Sequence, residues 1–239
     1  MEKFPPDARP NEVRTTTNDP PKRRPTSGRR ERFRIDRLSG RTWPDFERVA
    51  EKHHGVWGGC WCVSFHLPPR GAPRTFAPNE AATPDHRRKL KERLVRANRS
   101  HASLVYSGAD VVGWCQFGPP SELPARMGGP AKLGLASPDW RITCFFVDRN
   151  HRKEGVARAA LAGALRMIAS RGGGTVDAYP SETRGKPTAG SFLWGGTVSM
   201  FETAGFRTIA ALGTSKVVMR KSVKSRTESP MGNGGRRRP

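Results

Sequence analysis

The chain has 239 residues with 43 Lys/Arg against 21 Asp/Glu, a formal charge of +22, and 35% hydrophobic residues. That length suits one domain with a sizeable core plus tails, and no run approaches the ~18 apolar residues that cross a bilayer. The opening M-E-K-F-P-P-D lacks the apolar centre of a signal peptide, and Cys60, Cys62, Cys115 and Cys144 do not form a disulfide framework. A soluble, cytoplasmic protein with reduced thiols and no membrane partner is expected.

Residues 1–32 are rich in Pro, Arg, Thr and Asp with almost no large apolar side chains, so they read as a disordered basic arm. Phe33 to Leu38 alternates apolar and charged residues as a half-buried strand does. Thr42 caps a helix that runs to about His53, with Pro44, Asp45 and Glu47 at its positive end. The segment 53–66 (H-H-G-V-W-G-G-C-W-C-V-S-F-H) then sets two tryptophans and two cysteines among glycines. His54, Cys60, Cys62 and His66 are a weak metal pattern, because Cys-x-Cys is not the Cys-x2-Cys knuckle. No metal is expected; the segment reads as an aromatic wall of an acceptor pocket or as core.

After a Pro/Ala-rich loop, Thr83-Pro84-Asp85 opens a basic helix to about Asn98 with Leu90, Leu94 and Val95 inward. Ala102–Tyr106 and Val111–Phe117 flank Ser107–Asp110 as a β-hairpin. Residues 118–138 carry no period and form a connection of the kind that covers a site. Ile142–Val147 is short, β-branched and aromatic, a buried strand. From Val156, apolar Ala157, Ala160, Leu161, Ala164, Leu165 and Ile168 fall on one helical face. Gly172-Gly173-Gly174 ends that helix, Thr175–Tyr179 is another strand, and 181–196 is a polar loop. A short helix from Thr197 to Ala204 stops at Gly205, and Phe206–Ala211 with Lys216–Arg220 form a closing hairpin. Residues 221–239 read as a second disordered basic tail.

A strand feeding a helix through the loop from Asp148 to Gly155 points the helix's unpaired N–H groups and positive dipole end at the strand's carboxyl edge. That is an anion site, and Arg152 and Lys153 add charge while Gly155 allows close approach. An ordinary glycine turn would look similar if the loop stood alone. Arg152-x-x-Gly155-x-Ala157 after a strand resembles the acyl-CoA motif of the GNAT (Gcn5-related N-acetyltransferase) superfamily. Ser199-Met200-Phe201-Glu202-Thr203-Ala204-Gly205-Phe206 is similar to that family's late helix ending in Gly-Phe.

The resemblance implies an α/β (α+β) GNAT fold over residues 33–220, with a central mixed, mostly antiparallel splayed sheet of about six to seven strands flanked by helices. It implies an N-acetyltransferase whose amine acceptor attacks acetyl-CoA directly. Pantetheine would bond main chain at Phe146 and Val147, and the diphosphate would meet Arg152, Lys153, Gly155, Val156 and Ala157. The family's late-helix tyrosine has its counterpart in Phe201, which has no proton to give, so Tyr179 and Ser199 stand as substitute acids. Asp177 and Glu182 are bases or ion-pair partners, and Cys144 is an acyl carrier or a buried small residue. The basic body leaves polyanion contacts through the tails open, and with them a nucleic-acid-associated or regulatory binding protein on the same scaffold.

Overall fold

In the computed structural model of this chain, the residues described are 33–68, 79–125, 128–182 and 193–226. The arm read at 1–32 and the tail beyond 226 lie outside them. One seven-stranded sheet is built from β1 (Arg34–Arg37), β2 (His101–Ser107), β3 (Asp110–Gly118), β4 (Trp140–Val147), β5 (Gly174–Ala178), β6 (Arg207–Leu212) and β7 (Lys216–Val223). Its order is β1-β2-β3-β4-β5-β7-β6, and only β4 and β5 run parallel. The mixed, mostly antiparallel sheet expected from the motifs is what the chain forms.

Five helices flank it: α1 (Trp43–Lys52), α2 (Pro84–Arg96), α3 (Gly128–Lys132), α4 (Val156–Ala169) and α5 (Val198–Thr203). The last strand runs past the boundary read at 220, and the Arg226 N–H still donates to the Ala169 carbonyl at 2.9 Å. α3 lies inside the connection read without regular structure. Its G-G-P-A-K is too short and too poor in large apolar residues to show a period.

Strand alternation sends neighbours of β4 to opposite faces. Phe146 and Cys144 join the cluster under α1 and α2, with Trp43, Phe46, Trp61, Leu90 and Trp114. Phe145 and Ile142 join the other, under α4 and α5, with Leu161, Ile168, Phe201 and Met219. α4 lies close against β1 and β2 because position 163 is glycine: a Cβ there would sit 2.6 Å from both Ile35 Cγ2 and Ser103 Oγ. Ser103 Oγ donates to the Ala160 carbonyl at 2.7 Å and ties that contact down.

The buried polar groups under α2 form a chain. Lys91 Nζ donates to Ser100 Oγ at 2.7 Å, and Ser100 Oγ and Gln116 Nε2 meet His66 Nε2 at 3.1 and 3.0 Å. His66 Nδ1 donates to the Glu122 carbonyl at 2.8 Å. Burial, then the nearby Lys91 charge, push the His66 pKa down to about 3, so the ring is neutral.

Segment 53–66 turns tightly through left-handed backbone at His54, Val56, Trp57, Trp61 and Cys62. Its second half is core: Trp61 stacks on Trp43, and Cys62 Sγ lies 3.6 Å from Cys144 Sγ. Among the described residues, no three His, Cys, Asp or Glu gather closely enough to hold a metal ion.

Candidate active site

The sheet opens in its middle. β4 and β5 pair only at Trp140–Ile142 with Val176–Ala178, after which β4 continues for five residues without β5 beside it. On the other edge, the Asp148 N–H donates to the Val112 carbonyl at 2.9 Å. Antiparallel ladders alternate, so Phe146, paired with Trp114, also bonds toward β3, while Val147 directs its N–H and carbonyl into the gap. Phe145 faces the gap as well, and its N–H donates to the Trp194 carbonyl at 2.7 Å. Of the two main-chain positions expected to hold pantetheine, only Val147 presents its backbone to the gap; Phe146 presents its side chain.

At the end of β4, a turn of 3₁₀ helix (Arg149–His151) leads through Lys153 (φ 63°) to Gly155 (φ 92°), the N-cap of α4. No side chain caps this helix. Among the described residues, the N–H groups of Val156, Ala157 and Arg158 meet no protein acceptor, nor do those of Arg152, Lys153 and Gly155. A helix of 14 residues thus ends in bare donors at its positive pole, with Arg152, Lys153 and Arg158 around it.

A cavity of about 840 Å³ fills the space between these features. Its cationic end is formed by Arg152, Lys153, Ala157 and Arg158, its floor by Phe145, Phe146 and Val147, and one side by Thr197, Ser199, Met200 and Thr203. His53, Val56 and Trp57 also line it. The first half of the Trp/Cys segment is therefore wall and the second half core.

Most of the residues singled out in the sequence meet here: Phe146, Val147, Arg152, Lys153, Ala157 and Ser199 all line the cavity. Gly155 forms the bend behind them, and Val156 is buried with its side chain toward Gly113 of β3. Tyr179 is not on the wall. It is buried beside Arg141, whose guanidinium lies 5.2 Å from its ring, and burial raises its hydroxyl pKa.

Asp177 is held by Arg220 through two hydrogen bonds of 2.6 and 2.9 Å, which makes it an ion-pair partner and not a free base. Glu182 is exposed and off the wall. Phe201 is fully buried, edge-on to Phe145 and Phe206. Cys144 is buried against Cys62, and that contact together with burial raises its pKa. It is packing, away from the cavity.

His53 lines the wall as the first residue of segment 53–66, without a role of its own read from the sequence. Its Nε2 lies 3.1 Å from Asp148 Oδ2, and its ring sits 4.9 Å from that of Phe146. Asp148 also accepts Lys52 Nζ at 2.8 Å and the Asn150 N–H at 3.0 Å. Burial alone would raise the carboxyl's pKa, but these three donors outweigh it and hold Asp148 well below the usual carboxylate range. His53 and Asp148 are 95 residues apart, so no local pattern announces the pair.

Residues 70–184 match the model of the Acetyltransferase (GNAT) family. No curated protein matches the chain. Solved structures with a similar course include a histone acetyltransferase HPA2-related acetyltransferase from Corynebacterium glutamicum, 15% identical, covering 84% of this chain and 99% of that one at a TM-score of 0.47. A putative acetyltransferase of the GNAT family from Desulfovibrio desulfuricans is 21% identical over 80% and 99%, with a TM-score of 0.44. A putative acetyltransferase from Salmonella typhimurium, solved with its cofactor acetyl-CoA, is 12% identical over 82% and 97%, with a TM-score of 0.45. The splayed strands β4 and β5 and the uncapped helix after β4 all fall within residues 70–184, the stretch that matches the GNAT acetyltransferase family model.

Proposed function

We propose that this chain is an acetyl-CoA-dependent N-acetyltransferase that transfers acetyl directly to a primary amine. The observation that carries the reading is the set of N–H donors of Arg152, Lys153, Gly155, Val156, Ala157 and Arg158, which meet no protein acceptor among the described residues, beside a cavity lined by a splayed strand. The residues fit a CoA thioester: cations and bare amides for the phosphates, main chain at Val147 for pantetheine, and Phe145, Phe146 and Met200 for its apolar length. Bound there, acetyl-CoA would supply an activated acyl carbon.

The chain's own part is mainly positioning. Val147 orients the donor from the sheet, the α4 N-terminus anchors its far end, and the His53–Trp57 wall leaves a place for the amine. Ser199, on the wall, takes the place of the absent late-helix tyrosine as proton donor to the leaving sulfur. Tyr179, off the wall, has no part in this scheme.

Calorimetry with acetyl-CoA, followed by CoA release across an amine panel, tests the reading. Binding and amine-dependent release support it. Absence of acetyl-CoA binding, with strongly salt-dependent RNA binding instead, would replace it with the binding-protein alternative.

A further inference from the structure

We propose that Cys62 and Cys144 are a redox site: hydrogen peroxide joins them in a reversible disulfide, with Cys62 as the attacking sulfur and Cys144 as its resolving thiol. All four cysteines of the chain are free thiols in this structure. Cys62 belongs to the turns of segment 53–66 and Cys144 to the middle of β4, so two sulfurs 82 positions apart in the chain lie 3.6 Å from each other. Closing to a bond of about 2 Å is within reach of a side-chain rotation.

The surroundings divide the two thiols into nucleophile and partner. The Trp114 indole N–H, which can only donate, points at Cys62 Sγ at 3.4 Å. A thiolate at Cys62 also takes the Cys144 S–H. Lys91 of α2, 1% exposed, donates to the neutral Ser100 hydroxyl at 2.7 Å, and a thiolate at Cys62 supplies this buried cation with a counter-charge. The Cys144 S–H, then the Lys91 charge and the Trp114 N–H, draw the Cys62 thiol below its ordinary pKa although burial opposes them. Cys144 is pushed upward by Cys62 and by burial, and stays protonated. Dithiol oxidation needs this division.

Burial selects the oxidant. Cys62 is 1% and Cys144 4% exposed, so a glutathione-sized disulfide is too bulky for the site, whereas hydrogen peroxide is little larger than water. Segment 53–66 is the way in. Its turns hold themselves by short-range bonds, such as Cys60 N–H to the Val56 carbonyl at 2.9 Å and Trp61 N–H to the Gly55 carbonyl at 2.8 Å, so it opens at lower cost than a strand inside the sheet. The link would be felt in the large cavity: His53, Val56 and Trp57 of the same segment line it, and so do Phe145, Phe146 and Val147, which follow Cys144. The disulfide fastens one part of that wall to another.

The step balances as follows. The Cys62 thiolate attacks one peroxide oxygen, the O–O bond breaks, and hydroxide leaves a sulfenic acid on Cys62. The Cys144 sulfur then attacks the Cys62 sulfur, the S–S bond forms as the S–O bond breaks, and its proton leaves with that oxygen as water. Two thiols and one peroxide give one disulfide and two waters; the thiols lose two electrons and the peroxide gains them.

The test exposes the reduced full-length protein to graded hydrogen peroxide, then blocks remaining thiols with N-ethylmaleimide under denaturing conditions and maps peptides by mass spectrometry. The expected product is a peptide pair joined through Cys62 and Cys144, with melting temperature raised by about 5 °C and both changes undone by dithiothreitol. Cys115, on the other face of the sheet and with its pKa raised by burial, is the internal control and should still be alkylated. In Cys144→Ala, Cys62 should accumulate sulfenic and sulfinic acid in place of the disulfide; in Cys62→Ala, Cys144 should stay a thiol at the same dose. Full alkylation of Cys62 and Cys144 in the peroxide-treated wild type overturns the proposal. So does a Cys60–Cys62 link in their place, or oxidation of Cys115 at the same rate. The wild-type map decides by itself if either variant does not fold.

Discussion

The N–H of Phe145 donates to the carbonyl of Trp194 across the opening between β4 and β5, at 2.7 Å. One rung of the opened sheet is thus closed by a loop and not by a strand, and the loop has to pass close to do it. Gly196 makes the passage fit. Its φ is +80°, and a Cβ would sit 2.7 Å from Met200 Cε and 2.9 Å from Phe201 Cε2.

Gly196→Ala should therefore destabilise the protein by about 1–3 kcal/mol in chemical denaturation, from overpacking together with the left-handed backbone. It should also weaken acetyl-CoA binding, because Met200 and Thr197 beside it are wall. A variant as stable as wild type would show that the loop yields at no cost.

Gly155→Ala separates binding from folding. A Cβ at this position meets nothing within 4 Å, so the cost is the left-handed φ of +92° alone, roughly 1–2 kcal/mol. Relaxing that strain turns the donor amides away from their common focus. Calorimetry should show acetyl-CoA affinity lowered by about tenfold or more, with only a few degrees lost in melting temperature.

His66 predicts a pH dependence of stability. Its pKa is pushed from 6.5 to about 3 by burial and then by Lys91, so below about pH 6.5 the unfolded chain binds a proton that the native one refuses. The stabilising contribution is complete above that pH and declines as the pH falls toward 3, by on the order of 4 kcal/mol at the bottom of the window. Melting temperature measured against pH should slope accordingly, and His66→Gln should be flatter across the same range.

Ser199→Ala and Tyr179→Phe should part company. Ser199 is exposed on the wall, and its loss should lower kcat with acetyl-CoA affinity nearly intact. Tyr179 lies off the wall beside Arg141, so its phenylalanine variant should keep the wild-type pH–rate profile. A changed profile would bring Tyr179 back as the acid.

The wall also speaks to the acceptor. Among the described residues no Asp or Glu lines the cavity, and segments 69–78 and 183–192, outside them, contain none. A second ammonium would find no counter-charge there. CoA release with tryptamine should exceed that with spermidine at equal concentration; the reverse order would place carboxylates of the chain at the amine's end.

What could be read from the sequence was what depends on neighbours along the chain. The switch from the Ile142–Val147 run to the Val156 helix, with Gly155 between, carried the phosphate site in its local chemistry. The His53–Asp148 pair depended on α1 and β4 meeting in space, and each residue alone looks like a helix end and a turn. Whether Tyr179, offered as a substitute acid, faces the gap or the packing was hidden for the same reason: its place beside Arg141 depends on contacts between elements distant in the chain. Asp177 became structural only once β7 placed Arg220 beside it.

The short β4–β5 ladder has a mechanical consequence. Only three residue pairs stitch β5, β7 and β6 to the rest of the sheet on that line. A molecule lodged in the opening would act as a splint across the seam, so its arrival should be felt in the far hairpin, where amide hydrogens of β6 and β7 would exchange more slowly although no ligand atom touches them.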